Sequence, residues 1–255
     1  MKLHVALADN ADAMRRISVS PHAIVLPELV DGGYSLLKRG GGVHTVEDPF
    51  LKEFRAVTRR LHCTCIAGSI AIRNPRDGLT NTSLVFRNGA RVHRYDKVHL
   101  FKPAREEWYF RPGKPSGSFT VLAGRSRIRA GVVLCYDLRF PELTRMLAAD
   151  GIQVLFVPAR WPLVRDDAWQ TLLKARAIEN QVFVVGCNAS GKEGGFSYVF
   201  DPLGQCVMTT RDDPGRSLWE VTLDLDRIRE AHAMHRNLRD AILLKKMRFP
   251  VCLKP

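Results

Sequence analysis

Runs of consecutive apolar residues alternate along the chain with stretches whose apolar positions recur at helical spacing. The runs predict strands, because a strand buried on both faces of a sheet needs no polar alternation. Apolar residues three and four positions apart lie on one side of a helix. The predicted strands lie at 2–8, 22–26, 64–73, 80–87, 91–96, 130–135, 152–157, 181–187, 196–200, 204–209 and 217–223. The predicted helices lie at 50–61, 141–149 and 166–180, and the tail from 225 begins as a helix.

The order of these elements indicates the class of fold. Strand and helix alternate in the middle of the chain, and hairpins flank this part, with Asn88-Gly89 as a strong hairpin turn signal. The first two strands leave room only for a short helix between them, and a glycine-rich loop follows Glu28. The sequence has no short-period repeat and no low-complexity linker. The pattern therefore predicts one mixed α/β domain over residues 1–255.

Size and composition fit this interpretation. The chain has 255 residues, of which 45% are hydrophobic and 25% charged, enough for a sizeable core in one large globular domain. No apolar run is long enough to span a bilayer, and Asp9 and Asp12 follow the first strand too soon for a secretion signal. We therefore expect a cytoplasmic protein without a membrane partner.

The cysteines predict neither a disulfide framework nor a metal site. The six cysteines have no regular spacing, and most lie in strand-like runs, which indicates reduced thiols. Cys63 and Cys65 form a C-x-C, but no second pair of Cys or His stands at ligand spacing, and the residues after Cys65 alternate like a strand. We predict no metal and no cofactor.

The formal net charge of +13 raises a second class of function, a basic protein that binds phosphates or anionic lipids. The arginines are scattered, however. The denser patches, Arg55, Arg59 and Arg60 on one predicted helix and residues 245–248 near the end, lack the aromatic interleaving of a single-strand binder. We expect a solvated basic face or attraction of anionic small substrates, and no nucleic-acid partner.

Residues 131–142 contain a candidate nucleophile. An apolar run leads to Cys135, and polar residues and Pro141, which opens a helix, follow at once. This pattern predicts a thiol at the end of a core strand, where free backbone N–H groups can point at a developing negative charge. Taken alone, a cysteine here is also typical of a small apolar residue that closes a buried strand.

Two further reactive side chains stand at predicted strand ends. Glu28 follows the strand at 22–26, and Lys97 follows the strand at 91–96. Because ligands collect at strand ends in sheets covered by helices, Glu28, Lys97 and Cys135 can converge. A carboxylate can take the thiol proton, and an ammonium can stabilise the oxyanion of a tetrahedral intermediate. Singly, Glu28 and Lys97 are typical of a loop carboxylate and a solvated strand end.

The residues around these three positions decide between the two interpretations. Val25–Leu29, Tyr95–Phe101 and Leu134–Glu142 closely resemble, in the same order, the three signatures of the nitrilase superfamily of carbon–nitrogen hydrolases. The resemblance covers most of the chain and extends to Trp161-Pro162, 175–181 and 184–188. Several long motifs in order are far more specific than one short pattern.

This resemblance implies a fold and an assembly. It implies a four-layer α-β-β-α sandwich with a pseudo-twofold strand arrangement. Members usually assemble through paired sandwiches into homodimers or larger homo-oligomers, and the tail from about 225 is a candidate for the oligomer contacts.

The resemblance also implies a catalytic Cys–Glu–Lys triad. Glu28 would be the general base, Lys97 would stabilise the oxyanion and the intermediate, and Cys135 would be the nucleophile. The family's further glutamate, which positions the lysine, falls on Glu106, with Glu107 as the alternative one residue away. The backbone N–H of Tyr136 would complete the oxyanion hole.

The residues around these motifs indicate which branch of the superfamily the chain resembles most. Cys135-Tyr136-Asp137 differs from the Cys-Trp-Glu of true nitrilases. Residues 159–162, 186–188 and 237–241 are most similar to the ω-amidase branch. That branch hydrolyses the terminal amide of α-keto acid amides such as 2-oxoglutaramate and releases ammonia. The small-molecule substrate implied is therefore a linear amide with a carboxylate at its far end.

Such a substrate needs a cation for its carboxylate. Arg139 or Arg160 could supply a bidentate partner, and Arg139 is equally suited to a structural ion pair with a nearby carboxylate. Tyr34 and Trp161 are candidate apolar walls of the pocket, with core packing as the alternative for each.

Other functions remain open at this point. The same nucleophile would serve an N-carbamoyl amino acid or a deaminated glutathione as substrate. Cys135 could pair with His99 in a protease-like dyad, although His99 lies beyond the strand end. The non-enzymatic alternative is a basic binding protein.

The chain departs from the family pattern near its start. The stretch from Asp9 to Pro21 is shorter than the family's usual first helix, which predicts thinner cover over one sheet face near Glu28.

Overall fold

The computed structural model describes residues 1–75 and 78–242. In this part of the chain, two β-sheets pack face to face and helices cover their outer surfaces. The predicted basic patch at 245–248 and the end of the tail from 225 lie outside the described residues. None of the helices in the described ranges combines the length and the apolar character that a membrane crossing requires.

The first sheet is mixed and has the order β14-β1-β2-β4-β6-β5-β3, with β7 paired to β6. The strands β1, β2 and β4 run parallel to one another, and β14, β6 and β7 pair antiparallel with their neighbours. The bounds are β1 Lys2–Ala8, β2 Ala23–Val25, β3 Val43–His44, β4 Thr64–Ile66, β5 Ile70–Asn74, β6 Gly78–Arg87, β7 Ala90–Asp96 and β14 Leu218–Asp224.

The second sheet has the order β13-β12-β11-β10-β9-β8. Its central strands β9, β10 and β11 are parallel, and β10 and β11 are buried at every position, as the continuous apolar runs predict. The bounds are β8 Phe119–Ala123, β9 Ser126–Val132, β10 Val154–Ala159, β11 Phe183–Asn188, β12 Tyr198–Phe200 and β13 Cys206–Thr209.

Side-chain alternation along the strands builds the layers. In β1, Leu3, Val5 and Leu7 point into the core between the sheets, whereas Ala6 and Ala8 face the outer helices. The core between the sheets also takes Val132 and Phe156 from the second sheet. These contacts give the four-layer α-β-β-α sandwich.

The helices form the two outer layers and the C-terminal region. On the first sheet lies α3, whose Phe54 and Val57 are buried, and on the second lie α4 and α5. The bounds are α1 Ala11–Arg15, α2 Gly33–Lys38, α3 Pro49–Arg60, α4 Pro141–Ala149, α5 Asp166–Asn180, α6 Asp226–Met234 and α7 Asn237–Asp240. The first helix is short, as predicted, but the sheet face is still covered because Met14 and Ile17 are fully buried in this layer.

The structure corrects several predicted elements. The predicted strand at 64–73 is two strands, β4 and β5, separated by Gly68. Gly68 has φ +58°, a value outside the β region, so the strand is interrupted there. A Cβ at this position would lie 1.9 Å from the carbonyl oxygen of Pro27, so only glycine allows the backbone of residue 68 to approach that of Pro27 this closely. The loop after Glu28 contains α2, and a strand at 119–123 was not predicted.

Candidate active site

The predicted site residues come from strand ends of both sheets. Glu28 follows β2, Lys97 follows β7, and Arg160 follows β10. The N–H of Glu28 donates to the carbonyl oxygen of Ala159 at 3.4 Å, which joins the end of β2 to the end of β10. The strands of the two sheets therefore deliver their terminal residues to one edge of the sandwich, as expected for helix-covered sheets.

Cys135 lies beyond its strand rather than at its end. The strand β9 ends at Val132, and Cys135 opens a 3₁₀ turn over Cys135–Arg139. Its φ is +45°, an uncommon value for a residue with a side chain, so the surrounding bonds must hold it there. Buried Asp137 does so by accepting from the N–H of Leu134 at 3.1 Å and from the Tyr95 hydroxyl at 2.6 Å.

Lys97 forms the centre of a buried charge cluster. Its Nζ lies 2.8 Å from Glu28 Oε1 and 2.9 Å from Glu106 Oε2, and all three side chains have 0% exposure. Glu106 Oε2 also accepts from the N–H of Phe101 at 2.6 Å. The neighbouring Glu107 is exposed, so Glu106 is the glutamate that contacts the lysine. Buried charges of this kind persist only when they are paired and hydrogen-bonded.

Two neutral donors bind the same pair of carboxylates. The Nδ2 group of Asn81 donates to Oε1 of Glu28 and to Oε1 of Glu106, each at 2.9 Å. The hydroxyl of Tyr34 lies 3.2 Å and 2.9 Å from the same two oxygens. The Tyr34 hydroxyl is thus part of the polar cluster, which corrects the prediction of an apolar wall. Lys97 and Asn81 both donate to Glu28 Oε1, which leaves Oε2 for other partners.

The cluster sets the protonation of its members. Burial would lower the pKa of Lys97, but the charges of Glu106 and Glu28 outweigh it and raise the pKa well above the usual value. Burial followed by the charge of Glu28 raises the pKa of the Cys135 thiol, and the charge of Lys97 opposes that rise. The thiol is therefore protonated at neutral pH. It needs a base before it can attack a substrate.

Arg160 belongs to the scaffold of the site. Its Nε donates to the carbonyl oxygen of Glu28 at 2.7 Å and its Nη2 to that of Leu29 at 2.9 Å. Its backbone N–H lies 3.2 Å from Glu28 Oε2, and its carbonyl oxygen lies 3.9 Å from the Sγ of Cys135. The backbone of Arg160 therefore lies between the predicted base and the predicted nucleophile. Its side chain donates hydrogen bonds to backbone carbonyl oxygens.

A hollow opens over Cys135 with about 260 Å³ of empty space, its open mouth included. The residues that line it are Phe101, Cys135, Tyr136, Arg139, Arg160, Trp161, Pro162 and Arg165. Because the hollow opens to solvent and Cys135 is one of its lining residues, a ligand can reach the thiol from the surface.

Two exposed guanidinium groups lie at this mouth on aromatic rings. The Cζ of Arg139 is 4.9 Å from the ring centroid of buried Trp161, and that of Arg165 is 5.3 Å from the ring of Phe101. Neither arginine forms an ion pair with a carboxylate of the described residues, so the structural ion pair considered for Arg139 is absent there. Tyr136 packs against Phe101, with ring centroids 4.9 Å apart.

His99 does not face the thiol. Its Nδ1 lies 2.9 Å from Asp137 Oδ1, and its ring stacks on Phe140 with centroids 3.7 Å apart. Within the described residues, His99 forms no hydrogen bond with Cys135, whose Sγ faces the carbonyl oxygen of Arg160. This arrangement gives no support to the protease-like dyad.

Asn81 and Arg165 were not found from the sequence. An asparagine in the middle of a strand is unusual, and this was the available signal for Asn81. Arg165 stands in a loop, where an arginine is ordinary, and only the hollow identifies it.

The comparisons with known proteins agree with this geometry. The sequence profile of the carbon–nitrogen hydrolases matches residues 8–233. The chain is 33% identical over 211 residues to the 2-oxoglutaramate amidase of Bacillus subtilis strain 168, covering 80% of each protein. It is 36% identical over 192 residues to the omega-amidase YafV of Escherichia coli strain K12, covering 73% of this chain and 71% of the relative.

Two further similarities bear on specificity and fold. The chain is 32% identical over 212 residues to the deaminated glutathione amidase of Synechocystis, covering 74% of each. The crystal structure of Saccharomyces cerevisiae Nit3, a member of branch 10 of the nitrilase superfamily, matches with a TM-score of 0.78 and 26% identity over 97% of each chain. The predicted fold class is confirmed.

Proposed function

The chain belongs to the carbon–nitrogen hydrolase family and is an amidohydrolase, and on this premise we propose that it is an ω-amidase. Its substrate would be the terminal amide of an α-keto acid amide such as 2-oxoglutaramate, and its products ammonia and the corresponding acid. The observation that carries the proposal is the buried cluster of Glu28, Lys97 and Glu106 beside the Cys135 thiol.

In the first half of the reaction, Glu28 Oε2 takes the thiol proton and the sulfur attacks the amide carbon. The C–S bond forms as the carbonyl π electrons move to oxygen, where Lys97 and the N–H of Tyr136 stabilise the oxyanion. When the oxyanion collapses, the C–N bond breaks and the nitrogen takes the proton from Glu28. Ammonia leaves, and an acyl thioester remains on Cys135.

In the second half, Glu28 takes a proton from water and the hydroxide adds to the thioester carbon. Collapse of this second intermediate breaks the C–S bond, releases the acid, and returns the proton to the thiol. Glu106 supports both halves by holding Lys97 in place, which its two contacts of 3.0 Å and 2.9 Å with Nζ allow.

Arg139 is the group that we assign to the far carboxylate of the substrate. It is exposed at the mouth of the hollow, it lies on Trp161, and it forms no ion pair with a carboxylate of the described residues. The other predicted candidate, Arg160, already donates to two backbone carbonyls. A planar guanidinium matches a carboxylate in two parallel hydrogen bonds.

The first test is covalent chemistry at Cys135. Rapid quenching of the protein with 2-oxoglutaramate, followed by intact-mass measurement, should reveal an acyl adduct that maps to Cys135. The Cys135→Ala variant should give no adduct and no ammonia. Ammonia release by that variant at the wild-type rate would refute the mechanism.

The second test is the carboxylate partner. Arg139→Met should raise KM for 2-oxoglutaramate by roughly 10- to 100-fold with a small change in kcat, since a charged hydrogen bond contributes about 1.5–3 kcal/mol to binding of both ground and transition state. A neutral short amide should show no such change. Equal effects on both substrates would argue against this role of Arg139.

One alternative substrate has an observation in its favour, the similarity to a deaminated glutathione amidase. That substrate is a modified tripeptide and is longer than 2-oxoglutaramate, and because the hollow over Cys135 opens to solvent, such a substrate could extend out of its mouth. A panel of 2-oxoglutaramate, deaminated glutathione and an N-carbamoyl amino acid separates these possibilities. The proposal requires the highest kcat/KM for 2-oxoglutaramate. The binding-protein alternative no longer applies, because the chain is a hydrolase.

The predicted homodimer or larger homo-oligomer is also part of the proposal. Large apolar side chains are exposed, with Trp108 at 67%, Leu163 at 53% and Val164 at 90% exposure, and the last two lie between Pro162 and Arg165 of the hollow. A second copy that covers them would remove this apolar surface from water. Sedimentation equilibrium should therefore give at least twice the mass of one chain.

A further inference from the structure

The helix α2 carries Tyr34 but has little to hold it in place. It is six residues long, and its first flanking residue, Gly32, provides no side-chain cap. Both Gly32 and Gly33 have positive φ, and Gly40 follows the helix with φ +80°. A helix of this length is marginal without tertiary support. The Tyr34 hydroxyl nevertheless has to stay within hydrogen-bond distance of Glu28 and Glu106.

The missing cap comes from Glu193, which lies between two strands of the second sheet. Glu193 lies in the loop between β11 and β12, and its Oε1 accepts from the backbone N–H of Ser35 at 3.1 Å and from the Ser35 hydroxyl. Ser35 is the third residue of α2, where a capping carboxylate usually binds. A negative charge also favours the N-terminus of a helix.

The second oxygen of Glu193 contacts the scaffold arginine. Glu193 Oε2 lies 3.4 Å from Nη1 of Arg160, the residue that donates to the carbonyl oxygens of Glu28 and Leu29. The pair lies directly over Gly33, where a Cβ would be 2.4 Å from Glu193 Oε2 and 2.7 Å from Arg160 Cζ. This close approach explains why residue 33 has no side chain.

The loop that presents Glu193 is itself fastened. Asp9 accepts from the Ser190 N–H at 2.9 Å and from its hydroxyl at 2.5 Å. On the other side, the N–H of Leu163 donates to the carbonyl oxygen of Gly194 at 3.0 Å. Hydrogen bonds therefore hold the loop on both sides of Glu193, and the carboxylate of Glu193 restrains the N-terminus of α2.

We propose that Glu193 is a positioning residue of the hydrolase, which holds Tyr34 and, through Arg160, the backbone of Glu28 in the geometry needed for proton transfer. This inference rests on the proposed role of Glu28 as the base. Glu193 does not line the hollow over Cys135. Its effect therefore passes through α2 and Arg160.

The test is a double-mutant cycle between Glu193 and Tyr34. Glu193→Ala should lower kcat by about 10- to 100-fold, the range expected when a reacting group is displaced by about 1 Å, with little change in KM. Tyr34→Phe should also lower kcat. Because part of the effect of Glu193 passes through Tyr34, the loss of kcat in the double variant should be smaller than the product of the two single losses.

Two further variants keep the experiment decisive. Glu193→Gln retains an oxygen for Ser35 but loses the charge that faces Arg160, and it should retain more kcat than Glu193→Ala. Lys192→Ala changes the exposed neighbour in the same turn and should leave kcat unchanged. Thermal unfolding of each variant shows that the enzyme is folded.

A folded Glu193→Ala enzyme with wild-type kcat would overturn the proposal, and so would losses that simply multiply in the double variant. Either result would leave the proposed function intact, since that depends on Cys135→Ala. Conversely, an active Cys135→Ala variant would refute the proposed function by itself.

Discussion

Asn81 is a neutral side chain that helps to stabilise two buried carboxylates lying close together. Glu28 and Glu106 share a single lysine, and their Oε1 atoms both accept from the same amide of Asn81. The Oδ1 of Asn81 is buried without a hydrogen-bond partner in the described ranges. An unsatisfied oxygen costs about 1–3 kcal/mol, and two charge-assisted bonds offset that cost.

Replacing Asn81 should therefore damage activity more than stability. Asn81→Leu removes both donors at similar volume and should lower kcat/KM roughly 10- to 100-fold, from about 1.5–3 kcal/mol per charged hydrogen bond. The matched control is Thr82→Val on the same strand, since Thr82 bonds to Asp96 instead at 2.6 Å. Steady-state kinetics on both variants makes the comparison. Equal losses in the two would contradict the role given to Asn81.

The thiol of Cys135 offers a prediction about pH. Burial and the charge of Glu28 raise its pKa. Removing that charge in Glu28→Gln should shift the thiol titration to lower pH, because the thiolate no longer faces a carboxylate. The same variant should lose amide hydrolysis, because the carboxylate that we propose as the base is gone. Ultraviolet thiolate absorbance against pH, with Cys135→Ala subtracted, measures the shift, and an upward shift would be the contrary result.

At the scale of elements, His44 joins three segments near the first sheet. It lies in β3, its Nε2 is 2.7 Å from Asp31 in the loop after β2, and its Nδ1 is 3.2 Å from Asp48, the N-cap of α3. The hydrogen bond with Asp31 is the main reason that the pKa of His44 is raised above 6.5. The protonated imidazole therefore stabilises the folded state.

The sign of this effect fixes a stability profile. Because the folded pKa of His44 is raised, its contribution is complete below the unfolded pKa and is lost as pH rises through the folded pKa. Relative to His44→Gln, the wild type should be more stable by about 1 kcal/mol at acidic pH near 6, and this advantage should disappear at alkaline pH. Urea unfolding at several pH values measures it. A constant difference across pH would be inconsistent with the protonated pair.

Elements with strong local signals were predictable from the sequence. The bounds of α4 and α5 match the prediction to the residue, because a proline opens the first and regular apolar spacing marks the second. The β6–β7 hairpin was also predicted from its Asn-Gly turn. Its detailed pairing was not, because a bulge between Val85 and Phe86 shifts the register by one residue and brings the carbonyl oxygen of Asn81 to the N–H of Lys97.

Features that depend on contacts distant in sequence could not be predicted in this way. The helix α2 has weak local signals and is capped by a carboxylate 158 residues away. The turn at Cys135 is held by Asp137, whose partners include Tyr95, 42 residues earlier. The predicted strand ends and the motif resemblance together were enough to predict that Glu28, Lys97 and Cys135 would lie close together, although Cys135 stands in the turn beyond β9. The side chains that orient these three residues could not be predicted in this way.

At the scale of the whole molecule, the formal net charge of +13 creates an electrostatic field that can attract an anion to the hollow from a distance. Arg139, Arg160 and Arg165 all line it, so the local field has the same sign as the overall charge. Such a field raises the local concentration of an anionic substrate and speeds its encounter with the site. A neutral amide should gain nothing from it.

The dependence of kcat/KM on ionic strength should distinguish an anionic substrate from a neutral amide. The Debye length falls from about 30 Å at 0.01 M to about 3 Å at 1 M, which screens the field over most of its range. Over this interval, kcat/KM for 2-oxoglutaramate should fall several-fold, mainly through KM, while kcat/KM for a neutral short amide should stay nearly constant. Arg139→Met should show a shallower slope with the anionic substrate, because one of the cations that line the hollow is gone. If both substrates lost activity equally with salt, the cause would be a general effect on the enzyme, and the basic surface would have no part in choosing the substrate.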